Sequence, residues 1–171
     1  MIELRLAGAG MILGASLWAG LRAALLLRRT QAELTELAAA LETVGAEIRC
    51  AAAPFAPLCR RAAEGRAGAV GRFFSLLARE GSRPDLALEG LTRRACREAG
   101  LLLPEPALKA LERLFDGFGR WDREGQLAQL ALAAGELDRL REELNGQLEG
   151  RCRSYRLLGL SAGAAVLVLL L

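Results

Sequence analysis

The stretch TQAELTELAAALETVGAEI, residues 30–48, decides the fold. Its apolar residues recur at steps of three and four, which is the period of one face of an α-helix. These residues are Leu34, Leu37, Leu41, Val44 and Ile48. Glutamates largely occupy other positions, so we expect one narrow stripe of the helix to be buried. Thr30 and Glu33 have the spacing of a capping box, which predicts that the helix begins at Thr30.

Toward the C-terminus, prolines and glycines divide the chain into further segments with an apolar helical face. Ser82 and Asp85 bracket Pro84 in a second capping pattern, which predicts a helix from there to Ala99. Other helices are predicted over 57–64, over 69–80, after the prolines at 104 and 106, and from 123 onward. No stretch alternates in the manner of a β-strand. The sequence therefore predicts an all-α fold, an antiparallel bundle of about six helices.

The long last helix carries an apolar seam at heptad spacing. Its members are Leu127, Leu130, Ala134, Leu137, Leu144 and Leu148. Arg141 is the one discordant position. Two interpretations stay open for it: its side chain snorkels to solvent, or it marks where the helix leaves the bundle.

The composition narrows the class of protein. Apolar residues make up 53% of the 171 residues and charged residues 25%, which excludes a polytopic membrane protein and a disordered chain. Histidine is absent, and the four cysteines form no C-x-x-C pair. There is also no P-loop and no metal-ligand spacing, so we expect a noncatalytic protein with no catalytic residue, cofactor or metal site.

Both ends of the chain are apolar. Residues 6–21 carry no charge, and the apolar run extends to residue 27 if Arg22 is tolerated; residues 157–171 are also uncharged. As helices these runs span roughly 24 Å and 22 Å, against a bilayer core of roughly 30 Å. We predict a membrane helix over 1–27, a cytoplasmic bundle over 28–156 and a second membrane helix over 157–171. Shallow insertion is an alternative.

Arginines flank both apolar runs on their inner sides. The positive-inside rule places them in the cytoplasm, and they determine the predicted topology: Arg22, Arg28, Arg29, Arg151, Arg153 and Arg156. Residues 30–150 hold 16 basic and 19 acidic residues, so these arginines produce the net charge of +3. We therefore expect no nucleic-acid partner. A cleaved signal peptide at the N-terminus and a domain on the outer side of the membrane are the rival interpretations.

Each apolar run contains a G-x-x-x-G pair, which lets another helix approach closely. The pairs are Gly10 with Gly14 and Gly159 with Gly163. They mark contacts of the two membrane helices with each other or with a partner, or they reflect the general abundance of glycine in membrane helices.

A glycine-containing turn precedes the last helix, FGRWDREGQ at residues 118–126. Asp122 is placed to cap that helix, and Gln126 follows four residues later on the same face. Gly119, Asp122 and Gln126 are therefore expected to shape a structural junction, with a direct partner contact as the alternative.

These features in order resemble the stage III sporulation protein AB family of endospore-forming bacteria. The resemblance rests on the two terminal apolar segments, the helix that runs into AAAPFAPL at residues 51–58, and the turn with D-x-x-x-Q at Asp122 and Gln126. It covers nearly the whole chain. Members of that family are similar to the cytoplasmic domains of type II secretion platform (F) proteins.

The resemblance implies a role and not a reaction. The chain would be a noncatalytic, membrane-anchored platform in a secretion-like channel complex between mother cell and forespore, in the mother-cell membrane. Implied partners are other stage III channel proteins including a secretion-type ATPase, membrane lipid, and further copies of the chain. The alternative is an adaptor at the membrane surface that binds anionic lipid or another helical protein outside sporulation.

Overall fold

A computed structural model describes residues 2–51, 54–83, 88 and 90–170, and the side chains of 18, 22, 25–50, 54–83, 88 and 90–146. These residues form six α-helices and no strand, which confirms the all-α prediction. The helices are α1 (Ile2–Ala51), α2 (Phe55–Ala63), α3 (Gly68–Glu80), α4 (Leu91–Ala99), α5 (Glu105–Phe115) and α6 (Arg123–Leu170). The chain divides into two compact units, Met1–Arg29 with Glu143–Leu171, and Thr30–Glu142.

The core of the unit Thr30–Glu142 forms around the predicted stripe of α1. All five stripe residues, from Leu34 to Ile48, are at most 1% exposed, which confirms the periodicity argument. Phe73 and Phe74 of α3 and Phe115 of α5 are equally buried and form an aromatic cluster, with ring centroids 5.1 to 6.1 Å apart and edge-to-face geometry. Aromatic contacts therefore join α3 to α5, and the Phe55–Phe115 pair joins α2 to α5.

The predicted capping box at Thr30 is wrong. α1 continues through Thr30 without a break, because no proline or glycine interrupts the helix there. Glu33 is buried at 8% exposure, and its Oε2 accepts a hydrogen bond of 2.9 Å from the backbone N–H of Leu102. Glu33 therefore ties the connection between α4 and α5 to α1, which compensates the cost of burying its carboxylate.

The predicted start of the fourth helix is also wrong. α4 begins at Leu91 and not near Ser82, and its N-cap residue is Gly90, with φ of +72°. Ser82 donates its hydroxyl proton to the Ala78 carbonyl at 2.7 Å, so it belongs to the end of α3. Asp85 lies outside the described residues. A left-handed residue favours glycine, and Gly90 therefore sets the boundary that the capping pattern misplaced.

The buried seam of α6 differs from the predicted one. Leu130, Ala133, Leu137, Leu140 and Leu144 are buried, at strict alternating steps of three and four. Arg141 stands beside this seam and not within it, and its guanidinium pairs with Asp138 at 2.8 Å. The prediction shared Leu130, Leu137 and Leu144 with the true seam but assigned Ala134 and Arg141 in place of Ala133 and Leu140. Arg141 therefore interrupts nothing.

Among the described residues, no helix combines the length and the apolar character needed to cross a membrane. The four glycines of the G-x-x-x-G pairs lie outside the part of the chain whose side-chain surroundings are described, as do Arg151, Arg153 and Arg156. The two membrane helices therefore stay predictions.

Candidate functional site

The turn of residues 116–122 between α5 and α6 brings together the residues singled out in the sequence. Gly119 has φ of +89°, a conformation that other residues rarely adopt. Asp122 Oδ1 accepts a hydrogen bond of 2.9 Å from the Gly125 backbone N–H, and this caps α6. Gln126 donates its side-chain N–H to the Trp121 carbonyl at 3.3 Å. Gly119, Asp122 and Gln126 therefore define the start of α6.

Asp116 connects the beginning of this turn to α4. Its carboxylate accepts hydrogen bonds from the Gly90 backbone N–H at 2.8 Å and from both the backbone N–H and the hydroxyl of Thr92. A carboxylate at a helix N-terminus satisfies free amides and complements the helix dipole. Asp116, the residue that follows α5, thus caps the N-terminus of α4 with its side chain.

Two further contacts fasten the turn to the rest of its unit. The Phe118 ring lies 5.2 Å from the ring of Phe55 at the start of α2. The Arg123 guanidinium donates to the backbone carbonyl of Arg49 in the last turn of α1, where a cation is favoured. The turn is consequently held by contacts to α1, α2 and α4 as well as by its own capping bonds.

Trp121 is an exposed aromatic residue in this turn. Its side chain is 48% exposed. A methyl group on Gly117 would lie 3.2 Å from Trp121 Nε1, and one on Gly125 would lie 3.1 Å from Trp121 Cβ. The indole therefore rests close to two glycines. Trp121 and Asp116 were not predicted as site residues, and the G-x-G-x-W order of residues 117–121 was the available signal for the tryptophan.

Charged side chains on α4 and α5 form a network next to the turn. Arg93 binds Glu112 at 2.7 Å and Glu105 at 3.0 Å. The hydrogen bonds that Arg93 donates to these two carboxylates raise its pKa above the ordinary value. Within the described residues, no three or more potential metal ligands lie together. The site presents basic side chains and an indole ring, and its carboxylates are bound to neighbouring groups. This combination suits recognition of another molecule.

The buried thiols are poorly suited to reaction. Burial raises the pKa of Cys59 and raises that of Cys96 to about 12, in the latter case with a further contribution from the Glu112 carboxylate. Both thiols are therefore protonated at neutral pH and act as small apolar core groups.

The structure describes three of the six topology arginines. Arg22, Arg28 and Arg29 are exposed. The Arg22 guanidinium lies 4.2 Å from the centroid of the Trp18 ring, a cation–π contact.

One protein-family model matches almost the whole chain. The model of the family described as stage III sporulation protein AB matches residues 5–171. The chain belongs to this family. Membership implies a role in sporulation, in association with other stage III sporulation proteins.

A solved structure shares the fold. It is a stage III sporulation protein AB that is 19% identical to the chain, with a TM-score of 0.61 over 68% of this chain and 94% of that one. No curated protein matches the chain. The resemblance stated from the sequence is thus confirmed at the level of the family.

Proposed function

We propose that the chain is a noncatalytic, membrane-anchored platform that holds part of a secretion-like channel complex together during sporulation. The observation that carries this proposal is the turn of residues 116–122, which is held rigidly by Asp116, Phe118 and Arg123 and yet presents Trp121 to solvent. A rigid surface that exposes an aromatic residue is suited to binding another protein, since little conformational entropy is lost on association. Family membership favours this sporulation role over an adaptor that acts outside sporulation.

The two apolar ends serve as membrane anchors in this proposal. The exposed Arg22, Arg28 and Arg29 and the cation–π pair of Arg22 with Trp18 support an interfacial position at the end of the first apolar run. The bundle then lies in the cytoplasm of the mother cell, in the membrane that surrounds the forespore. Its partners are other stage III channel proteins, a secretion-type ATPase among them.

The test is affinity purification of the tagged full chain from sporulating cells after solubilisation in detergent. We expect other stage III sporulation proteins, including the ATPase, to co-elute as identified by mass spectrometry. The variant Asp122→Ala separates the two roles of the turn: retained co-elution with a small loss of stability indicates a purely structural Asp122. A wild-type chain that elutes as a monomer without any stage III protein would refute the platform role.

A further inference from the structure

A groove runs between α5 and α6, and we call it the α5–α6 groove. Its first part has a volume of about 410 Å³ and lies between Lys109 and Arg113 of α5 and Gln129 and Leu132 of α6. Its second part, of about 470 Å³, continues to Trp121 and shares Arg113 and Gln129 with the first. The shared residues make the two parts one continuous surface within the unit Thr30–Glu142.

The acidic side chains along the groove are all engaged. Glu105 and Glu112 bind Arg93, and Glu136 binds Arg139 at 2.8 Å. The hydrogen bond from Arg139 lowers the pKa of Glu136, with a smaller contribution from the nearby charge of Arg113. Asp116 accepts its hydrogen bonds from α4. These carboxylates are therefore occupied by neighbours within the protein.

The basic side chains of the groove are not engaged in the same way. Lys109, Arg113 and Arg120 form no ion pair with any side chain in the described part of the chain. All three are exposed. The α5–α6 groove thus presents three exposed positive charges outside any ion pair of the described residues, of which Arg113 lies near the Glu136 carboxylate, although residues 30–150 as a whole carry more acidic than basic residues.

Apolar groups accompany these charges. Leu132 is 67% exposed, whereas the neighbouring seam residues Leu130 and Ala133 are 7% and 2% exposed. Trp121, at the other end of the groove, is 48% exposed and held beside Gly117. Tryptophan and arginine are the residues most enriched among those that dominate binding energy at protein interfaces. The groove therefore combines two exposed apolar side chains with positive charges, and these charges favour a negatively charged partner.

We infer that the α5–α6 groove binds an acidic, amphipathic helix of a partner protein. Leu132 lies nine residues beyond the start of α6 at Arg123, a distance of about 14 Å along the axis, which matches roughly two and a half turns of a docked helix. Carboxylates of that helix would meet Lys109, Arg113 and Arg120, and its apolar face would cover Leu132 and Trp121. A helix fits into a recessed groove between two helices, whereas a flat lipid surface does not. The inference deepens the proposed platform role and rests on it.

Binding of a defined probe tests the inference directly. The full chain in nanodiscs of neutral phosphatidylcholine is titrated with a fluorescein-labelled helical peptide of about 14 residues, with leucines on one face and glutamates beside them. We expect the triple variant Lys109→Glu, Arg113→Glu, Arg120→Glu to bind the peptide at least tenfold more weakly than the wild type. Trp121→Ala with Leu132→Ala should weaken it to a similar degree. A peptide with lysines in place of the glutamates should not bind.

The matched control reverses three exposed arginines that lie outside the groove, Arg60, Arg94 and Arg97, and we expect it to change the affinity less than twofold. Circular dichroism establishes that each variant is folded. Equal losses for the groove and control variants, or no binding of the acidic peptide by the wild type, would overturn the inference. Binding of phosphatidylglycerol vesicles that requires the groove cations and is not displaced by the peptide would also overturn it, in favour of a lipid surface.

Purification from sporulating cells separates this inference from the platform role. If the wild type retains its stage III partners and the groove variant loses one that the control variant keeps, both are supported. If groove and control variants retain the same partners, the groove inference fails and the platform role stands. If the wild type has no stage III partner, the platform role fails.

Discussion

Asp116 shows how one residue connects helices that are remote in the sequence. It follows α5 directly, but its carboxylate caps α4 through Gly90 and Thr92, which lie 26 and 24 residues earlier. Local spacing predicted the cap of this helix at Ser82 and Asp85. A cap supplied from a different helix leaves no local signature, because its spacing is set by how the helices pack.

Asp116→Ala should destabilise the protein by about 1 to 2 kcal/mol, because the start of α4 loses its hydrogen-bond acceptor. Urea unfolding of the full chain in detergent, followed by circular dichroism, measures this change. Asp138→Ala is the matched control, since Asp138 is exposed and pairs with Arg141 of its own helix, and its effect should stay within about 0.5 kcal/mol. Equal effects of the two substitutions would contradict the capping role.

The Cys96 thiol is expected to lower the stability of the folded protein at alkaline pH. Its pKa in the folded protein is raised from the ordinary value of 9.0 to about 12, so the folded state binds a proton that the unfolded state has already released. The corresponding stability is complete below pH 9 and is lost as the pH rises from 9 toward 12. We expect the destabilisation caused by Cys96→Ala to shrink by about 1 to 2 kcal/mol between pH 8 and pH 10.5. Unfolding of both proteins at each pH measures this, and a constant difference would contradict it.

At the scale of elements, two helical glycines differ in their surroundings: the backbone of a turn lies close to one of them, and the other faces open space. A methyl group on Gly71 of α3 would lie 2.0 Å from the Arg66 carbonyl oxygen, in the turn after α2. A methyl group on Gly135 of α6 would meet nothing within 4 Å. Both are predicted from the sequence to lie within a helix. Only the packing of the turn against Gly71 shows that the two positions differ.

Gly71→Ala should therefore destabilise the protein by about 1 to 3 kcal/mol, because the backbone of the turn must shift. Gly135→Ala should stabilise it by about 0.5 to 1 kcal/mol, through the higher helix propensity of alanine. Thermal unfolding of the full chain in detergent compares the two variants. A loss of stability in Gly135→Ala would show that this face of α6 is covered.

At the scale of the whole molecule, charge and apolar character are segregated along the chain. Residues 30–150 hold more acidic than basic residues, and arginines cluster next to both apolar ends. This arrangement is typical of a domain held at the cytoplasmic side of a membrane.

The proposed membrane anchors predict the outcome of a simple fractionation. The full chain should sediment with membranes and resist an alkaline wash, whereas residues 28–156 alone should remain in the supernatant. When the chain is expressed in vegetative cells, so that its membrane is the cell surface, the exposed Cys50 should react with a membrane-impermeant maleimide only after protoplasts are lysed, as measured by peptide mass spectrometry. Labelling of Cys50 in intact protoplasts would place the bundle on the outer side, and recovery of residues 28–156 in the membrane pellet would argue against anchoring by the ends.

The sequence by itself determined the helical class, the buried stripe of α1 and the turn that caps α6. Each of these depends on interactions between residues a few positions apart: the apolar period of Leu34 to Ile48, and the bond from Gly125 to Asp122. The family could be recognised for a related reason, since the order of such local features along the chain is itself visible in the sequence.

Only the tertiary structure decided which polar residues join the elements and which face of α6 is buried. Glu33 has the local spacing of a helix cap but binds Leu102, 69 residues away, and the true seam of α6 includes Leu140 and not Arg141. The α5–α6 groove could likewise not be predicted from the sequence. Lys109, Arg113 and Arg120 lie on one surface only because the helices pack together, and their acidic neighbours bind other groups of the protein. Partners of this kind are selected by packing in space, and local spacing does not encode them.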